Sequence, residues 1–100
     1  MQLRSLLWDE AHIASHRVES EEVENVVFGE TAVFAVDDSH RVGRLVARGR
    51  TRAGRHLLVV LDEPTAAGDA YVVTARPMTE RERQEYDELR RGASAAEGQA

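Results

Sequence analysis

The stretch RVGRLVARGRTRAGRHLLVVL, residues 41–61, predicts two β-strands joined by a tight turn. Up to residue 50 its side chains alternate with the period of two that a strand requires. The turn falls at residues 51–54, where Gly54 is suited to the positive φ that such loops use. The second strand, His56–Leu61, is almost continuously apolar, as in a strand that is covered on both faces. The stretch therefore predicts a hairpin at the centre of a sheet.

The same stretch concentrates positive charge. It holds six arginines and no acid, although the whole chain has a formal net charge of −5. Residues 1–40 show the opposite balance, with two arginines against nine acids. A local basic surface on an acidic protein predicts an anionic partner, either a nucleic-acid backbone or an acidic protein. The arginines are Arg41, Arg44, Arg48, Arg50, Arg52 and Arg55.

The composition of the chain limits its class. One hundred residues, 42% of them hydrophobic, predict one folded domain, which we assign to residues 1–91, with a disordered tail over 92–100. The sequence contains neither an apolar run long enough to cross a membrane nor the residue order of a signal peptide, so we expect a cytoplasmic protein. The absence of cysteine excludes disulfides and thiolate chemistry. We expect no cofactor.

The remaining patterns predict a small α+β domain with the order β-α-α-β-β-β-β-α. Helices are predicted over Glu10–His16, over Glu21–Phe28 with Ser20 as its cap, and from a Thr79–Glu82 capping box to about Arg91. Strands are predicted over residues 3–8, 31–36, 42–50, 56–61 and 70–76. We expect a small antiparallel sheet of four to five strands, with two N-terminal helices and one C-terminal helix packed on one of its faces.

Three segments in this order resemble one protein family. They are WDEAHIASHRVESEEVENVVFG, RGRTRAGRHLLVVL and YVVTARPMTERERQEY, which lie within residues 7–86. The pattern is similar to the BrnT-type toxins of bacterial toxin–antitoxin systems, which belong to the RelE-like ribonucleases. The resemblance implies a RelE-like fold and a metal-independent endoribonuclease that a cognate antitoxin neutralises by forming a heteromer with it.

The resemblance also implies site residues. The histidine of the family falls on His16, its Gly-Arg pair on Gly54 and Arg55, and its Ser/Thr-Ala-Arg motif on residues 74–76, which end in Arg76. A basic position falls on either Arg48 or Arg50. The chain departs from the family in the first helix, in having Arg17 after the histidine, and in having no lysine.

These residue types suit RNA cleavage by attack of the 2′-hydroxyl. Histidine can transfer the protons, and arginine can bind two phosphate oxygens while staying charged. We therefore assign catalysis to His16, Arg48, Arg50 and Arg76, and RNA or antitoxin contact to Arg41, Arg44, Arg55 and His56. Structural alternatives exist for two of them: His16 as a cation at a helix end, and Arg76 in a salt bridge to Glu80 or Glu82.

Three other functions compete with the toxin. A RelE-like module without catalysis would bind RNA or an acidic protein and cleave nothing. A metal-dependent hydrolase would use His12 and His16, which have the i, i+4 spacing of zinc ligands, but the sequence offers no evident third ligand. A purely structural protein would carry the basic hairpin as a charged sheet edge.

Overall fold

A computed structural model describes residues 4–7, 17–37 and 44–98 of the chain, with side chains for all of these except 37 and 93–98. Its elements are strand β1 (Ser5–Leu7), helix α1 (Ser20–Val27), strands β2 (Val33–Asp37), β3 (Arg44–Arg50), β4 (His56–Leu61) and β5 (Asp69–Pro77), and helix α2 (Glu80–Gly98). None of the helices in these ranges is long and apolar enough to cross a membrane. The first predicted helix, Glu10–His16, lies outside the described residues.

The five strands form one sheet in the order β1-β5-β4-β3-β2. The four consecutive strands β2 to β5 pair with one another in antiparallel fashion, as predicted for strands with short connections. The prediction of a purely antiparallel sheet is wrong, because β1 pairs with β5 in parallel. The backbone amides of Arg4 and Ser5 donate to the Gly68 carbonyl, and the Ser5 hydroxyl donates to Asp69. The long chain between β1 and β5 permits this parallel pairing.

The helices lie on opposite faces of the sheet, so the prediction of helices on a single face is also wrong. On one face, Leu57, Val59 and Leu61 of β4 belong to a buried cluster with α1. On the other face, Leu58 of β4 is buried in a second cluster with Tyr86 of α2. Because adjacent strand residues point to opposite faces, the continuous apolar run of β4 serves both clusters. The described residues contain one helix before the meander and one after it, rather than the predicted two and one.

Helix α1 packs through the valine stripe that its spacing predicted, Val23, Val26 and Val27, all buried. It begins one residue earlier than predicted, and its N-cap is Glu19 rather than Ser20. The Glu19 backbone amide donates to the Glu22 carboxylate at 3.1 Å. The helix ends at Val27, one residue before the predicted end at Phe28. Gly29 follows it, and glycine is required there because a Cβ would lie 2.2 Å from the Asn25 carbonyl oxygen.

Helix α2 begins at the predicted capping box. The Thr79 amide donates to Glu82 Oε1 at 2.8 Å, and the Glu82 amide donates to the Thr79 hydroxyl at 3.2 Å. The helix continues to Gly98, past Arg91, because residues 93–97 include three alanines, the strongest helix formers.

The hairpin turn gives a matched pair of glycines for a stability test. Gly54 has φ +90°, as predicted, while Gly92 lies in helix α2, and a Cβ would meet nothing within 4 Å at either position. Gly54→Ala is therefore expected to cost about 1–2 kcal/mol from the left-handed backbone alone. Gly92→Ala is expected to stabilise by about 0.5–1 kcal/mol. Urea unfolding of both variants measures the difference; equal effects would contradict the assigned turn geometry.

Candidate nucleic-acid interface

The meander gathers several of the predicted site residues at one end of the sheet. Arg48 of β3 pairs in register with Leu58 of β4, and Leu58 pairs with Arg76 of β5. One pleat further along, Arg50 pairs with His56. Side chains two residues apart share a face, so these four residues project to the face that carries α2. The fold thus brings together cations that are up to 28 positions apart in the sequence.

Arg76 is held by the beginning of α2. Its two terminal nitrogens donate to the two Glu82 carboxylate oxygens at 2.7 and 2.8 Å, and Nη1 also donates to the Pro77 carbonyl at 3.1 Å. The structural alternative for Arg76 is therefore confirmed, with Glu82 as the partner. This pairing raises the pKa of Arg76 and, together with the bonds from Thr79, lowers the pKa of Glu82 to about 2. Among the described residues, the Nε–H makes no hydrogen bond, and it remains a donor for a further anion.

Arg48 is paired more loosely with the same helix. Its Nη1 lies 3.7 Å from Glu85 Oε2, and its Nε is buried without a hydrogen-bond partner in the described part of the chain. A separation of 3.7 Å is an ion pair without a hydrogen bond. Glu85 is shared, since it also lies 3.4 Å from Arg81 in the preceding turn of α2. Arg48 is therefore bound less tightly by Glu85 than Arg76 is by Glu82.

His56 lies under α2, with its side chain 16% exposed. Its ring meets the Tyr86 ring edge-on at 5.8 Å, and its Nε2 is 3.9 Å from Asp87 Oδ1. Burial and the nearby Arg83 and Arg50 cations lower its pKa, and they outweigh the opposite effect of Asp87. His56 is consequently a neutral imidazole at pH 7, which can accept a proton.

Arg50 and Arg52 differ from these residues, because neither makes an ion pair with any described residue. Their backbones are nevertheless fixed: the Thr31 hydroxyl accepts from the Arg50 amide at 3.1 Å, and the Asn25 side-chain oxygen accepts from the Arg52 amide at 3.1 Å. Both line a cleft of about 440 Å³ at the end of α1. Sequence reasoning left Arg52 unassigned, since a turn arginine has no periodic signal.

Arg55 lies on the other side of the sheet. Its Nη1 donates to the Glu22 carboxylate at 2.9 Å and to the Arg17 carbonyl at 2.7 Å, which ties the turn to the beginning of α1. Arg17 takes a left-handed φ of 58° at this point. Arg55 therefore has a structural role, and the fold does not place it beside Arg48 or Arg76.

Three further assignments have simpler outcomes. Arg44 lies on the α2 face at the opposite end of β3, with its Nε 3.7 Å from Asp62 Oδ1. His16, His12 and Arg41 lie outside the described residues. No group of three metal-ligating side chains occurs in the part of the chain that the structure describes.

Sequence reasoning missed the acidic stripe of α2. Glu82, Glu85 and Asp87 each lie against one of the predicted site residues, Arg76, Arg48 and His56 respectively. Only the Arg76–Glu82 pair had a sequence signal, through the capping box. The other pairs depend on the angle at which α2 crosses the sheet, which no local pattern encodes.

Comparison with known proteins does not name a family for this arrangement. No protein-family model matches the chain, and no curated protein matches it.

The ion pairs predict how stability depends on pH. The pKa of Glu82 is lowered from 4.5 to about 2 by its hydrogen bonds, so the unfolded chain binds this proton at a higher pH than the folded chain does. Its contribution is complete above pH 4.5 and is lost as the pH falls toward 2. His56, whose pKa is also lowered, adds a loss that begins below its ordinary value of 6.5.

Urea unfolding between pH 2 and 7 measures this dependence. We expect Glu82→Gln to flatten the acid part of the curve relative to wild type, because glutamine keeps the capping geometry and does not titrate. Parallel curves for the two proteins would contradict the assigned pairing.

Proposed function

We propose that this chain is a cytoplasmic, metal-independent endoribonuclease of the BrnT-like toxin kind, which binds RNA at the end of the sheet that carries Arg48, Arg50, His56 and Arg76. The observation that supports the proposal is their shared face across three adjacent strands. The resemblance assigns Arg76 and one of Arg48 and Arg50 to the RNA site, and the strand register puts these positions together.

The chemistry divides among these residues. Arg76, whose Nε–H has no described partner, and the loosely paired Arg48 supply planar cations for the scissile phosphate. Arg50, which no described acid pairs, attracts the adjoining backbone. His16 transfers the protons of 2′-hydroxyl attack and departure of the 5′-oxygen. His56, neutral and beside Arg50, is the histidine on this face that can replace or assist it.

A second candidate function is RNA binding without cleavage. It is favoured by the acids of α2, which already pair Arg76 and Arg48. A phosphate must share these arginines with Glu82 and Glu85, and negative carboxylates near the scissile phosphate oppose the charge that develops in the transition state. Under this alternative the same surface binds RNA but does not cleave it.

The partner proposal follows from the same charges. A cognate antitoxin would cover the basic end of β3 with an acidic segment and form a heteromer with the chain. Arg48→Glu combined with Arg50→Glu is expected to abolish this complex, whereas Arg81→Glu on the exposed side of α2 is expected to leave it intact. Unchanged binding by the double variant would exclude this surface as the antitoxin site.

Cleavage of a defined single-stranded RNA in EDTA tests the proposed function. Wild type is expected to cleave, and His16→Ala to lose about 10²–10⁴-fold in rate while its circular dichroism is unchanged. His56→Ala and the variant that combines His16→Ala with His56→Ala identify which histidine carries the proton transfer. RNA binding by a folded wild type without any cleavage would replace the proposal with the binding module, and cleavage that both histidine variants retain would exclude the proton-transfer roles.

A further inference from the structure

The cleft that Arg50 and Arg52 line contains both basic and acidic residues. Its lining includes the two arginines, two acids, Glu24 and Glu30, and also Phe28 and Asn25. Neither arginine makes an ion pair with a described acid, although two residues with carboxylates line the same cleft. A ligand suited to this lining presents a negative group to the arginines and a neutral, hydrogen-bonding group to the carboxylates.

Phe28 supplies an apolar surface in this polar setting. It follows the last residue of α1, and it is 49% exposed despite its size. It belongs to neither buried cluster of the described core. An exposed ring beside unpaired guanidinium groups is the combination that single-stranded nucleic acids use, in which a base stacks on the ring and its phosphate meets the cations.

The cleft is held in shape by the fold. The Thr31 hydroxyl bonds both the amide and the carbonyl of Arg50, at 3.1 and 3.3 Å, and Asn25 fixes the backbone of Arg52. The turn between α1 and β2 and the turn between β3 and β4 are thereby joined across the cleft. A preformed site loses less conformational entropy when a ligand binds.

We propose that this cleft is a subsite for one nucleotide of single-stranded RNA, with the base stacked on Phe28 and the phosphate bound by Arg50 and Arg52. Glu24 and Glu30 then accept hydrogen bonds from the base edge and keep the phosphate at the arginine side. Arg50 also faces His56, so the subsite adjoins the surface of Arg48 and Arg76. The inference rests on the proposed RNA-binding function and adds to it two contact residues, Phe28 and Arg52, that lie outside the predicted catalytic set.

The test measures the dissociation constant of a fluorescent 12-nucleotide single-stranded RNA of mixed sequence, in EDTA, by anisotropy. Phe28→Ala is expected to weaken binding about 5- to 100-fold, the range found for losing one stacked base. Phe28→Trp is expected to keep or improve affinity. Phe34→Ala is the matched control, because Phe34 is 46% exposed on the edge strand β2 and does not line the cleft.

The arginines have a separate readout. Arg52→Ala is expected to weaken binding and to reduce the slope of log Kd against log salt by about 0.7, the value for one phosphate contact on a single strand. Arg91→Ala, at an exposed position in the later part of α2, is the control and is expected to leave the slope unchanged.

The outcomes separate two kinds of failure. RNA binding that is insensitive to Phe28→Ala and Arg52→Ala would overturn the subsite and leave the proposed function standing. No RNA binding by wild type would overturn both. A polyglutamate peptide that competes with the RNA as well as unlabelled RNA does, and whose affinity is independent of Phe28, would assign the cleft to an acidic protein instead and overturn the nucleotide subsite.

Discussion

Tyr86→Ala is expected to lower the free energy of unfolding by about 3–5 kcal/mol. Tyr86 is 1% exposed and forms the second core cluster with Leu58 and Met78. Its hydroxyl donates to the Thr31 carbonyl, and its ring contacts His56. No other described side chain of α2 is fully buried, so the helix depends on this residue to dock on the sheet.

The measurement is urea unfolding, with Tyr86→Phe as the control. Phenylalanine keeps the ring and loses one hydrogen bond, for an expected cost of about 1–2 kcal/mol. Equal costs for the two variants would show that the ring contributes little, and would contradict the packing of α2 described above.

Arg76→Ala is expected to lower the rate of RNA cleavage by roughly 10²–10³-fold, the cost of removing one donor that stabilises the transition state. Arg76 is the residue that β5 contributes to the proposed site, and its Nε–H makes no hydrogen bond to a described residue. Arg76→Lys is expected to recover little activity, because an ammonium group is not planar and cannot hold Glu82 and a phosphate each through two parallel hydrogen bonds.

This substitution also leaves Glu82 unpaired, which alone would repel RNA. The double variant Arg76→Ala with Glu82→Gln removes both charges and keeps the charge sum of the pair. We expect it to remain inactive, and its circular dichroism is compared with wild type as the folding control. Recovery of wild-type activity by the double variant would contradict a phosphate role for Arg76 and leave it with the structural one.

The prediction of the meander from the sequence has a clear physical basis. The alternation in β3, the continuous apolar run of β4 and the positive φ of Gly54 are local signals, and each has the predicted structure. The valine stripe of α1 and the capping box of α2 are also local, with periods and spacings that depend on nearby residues alone.

The wrong predictions concern contacts between residues that are distant in the sequence. The continuous run of β4 indicated that both faces are covered, but it carries no information about which helix covers which face. Likewise, nothing in residues 3–8 distinguishes a strand that pairs with β5 in parallel from one that pairs antiparallel elsewhere. These choices depend on the packing of the whole chain.

For the candidate site, too, the local features could be predicted from the sequence and the long-range contacts could not. Strand periodicity predicted that Arg44, Arg48 and Arg50 share a face, and the structure confirms it. The alignment of Arg76 with Arg48 required the register of three strands. The ion pairs of the α2 acids could not be predicted from local patterns, because the partners are 31 positions apart for His56–Asp87 and 37 for Arg48–Glu85. The cleft at Phe28 likewise depends on the tertiary structure.

The central claim is that RNA binds at the basic end of the sheet, and an NMR titration tests it most directly. The chain has 13 basic residues, all of them arginines, so a spectrum of the arginine Nε–Hε groups reports on every fixed cation. Single-stranded RNA added in EDTA is predicted to shift the signals of Arg48, Arg50, Arg52 and Arg76. The signals of Arg81 and Arg91, on the exposed part of α2, are predicted to stay in place. Saturating RNA that shifts none of the first four signals, or shifts all arginines alike, would contradict the claim.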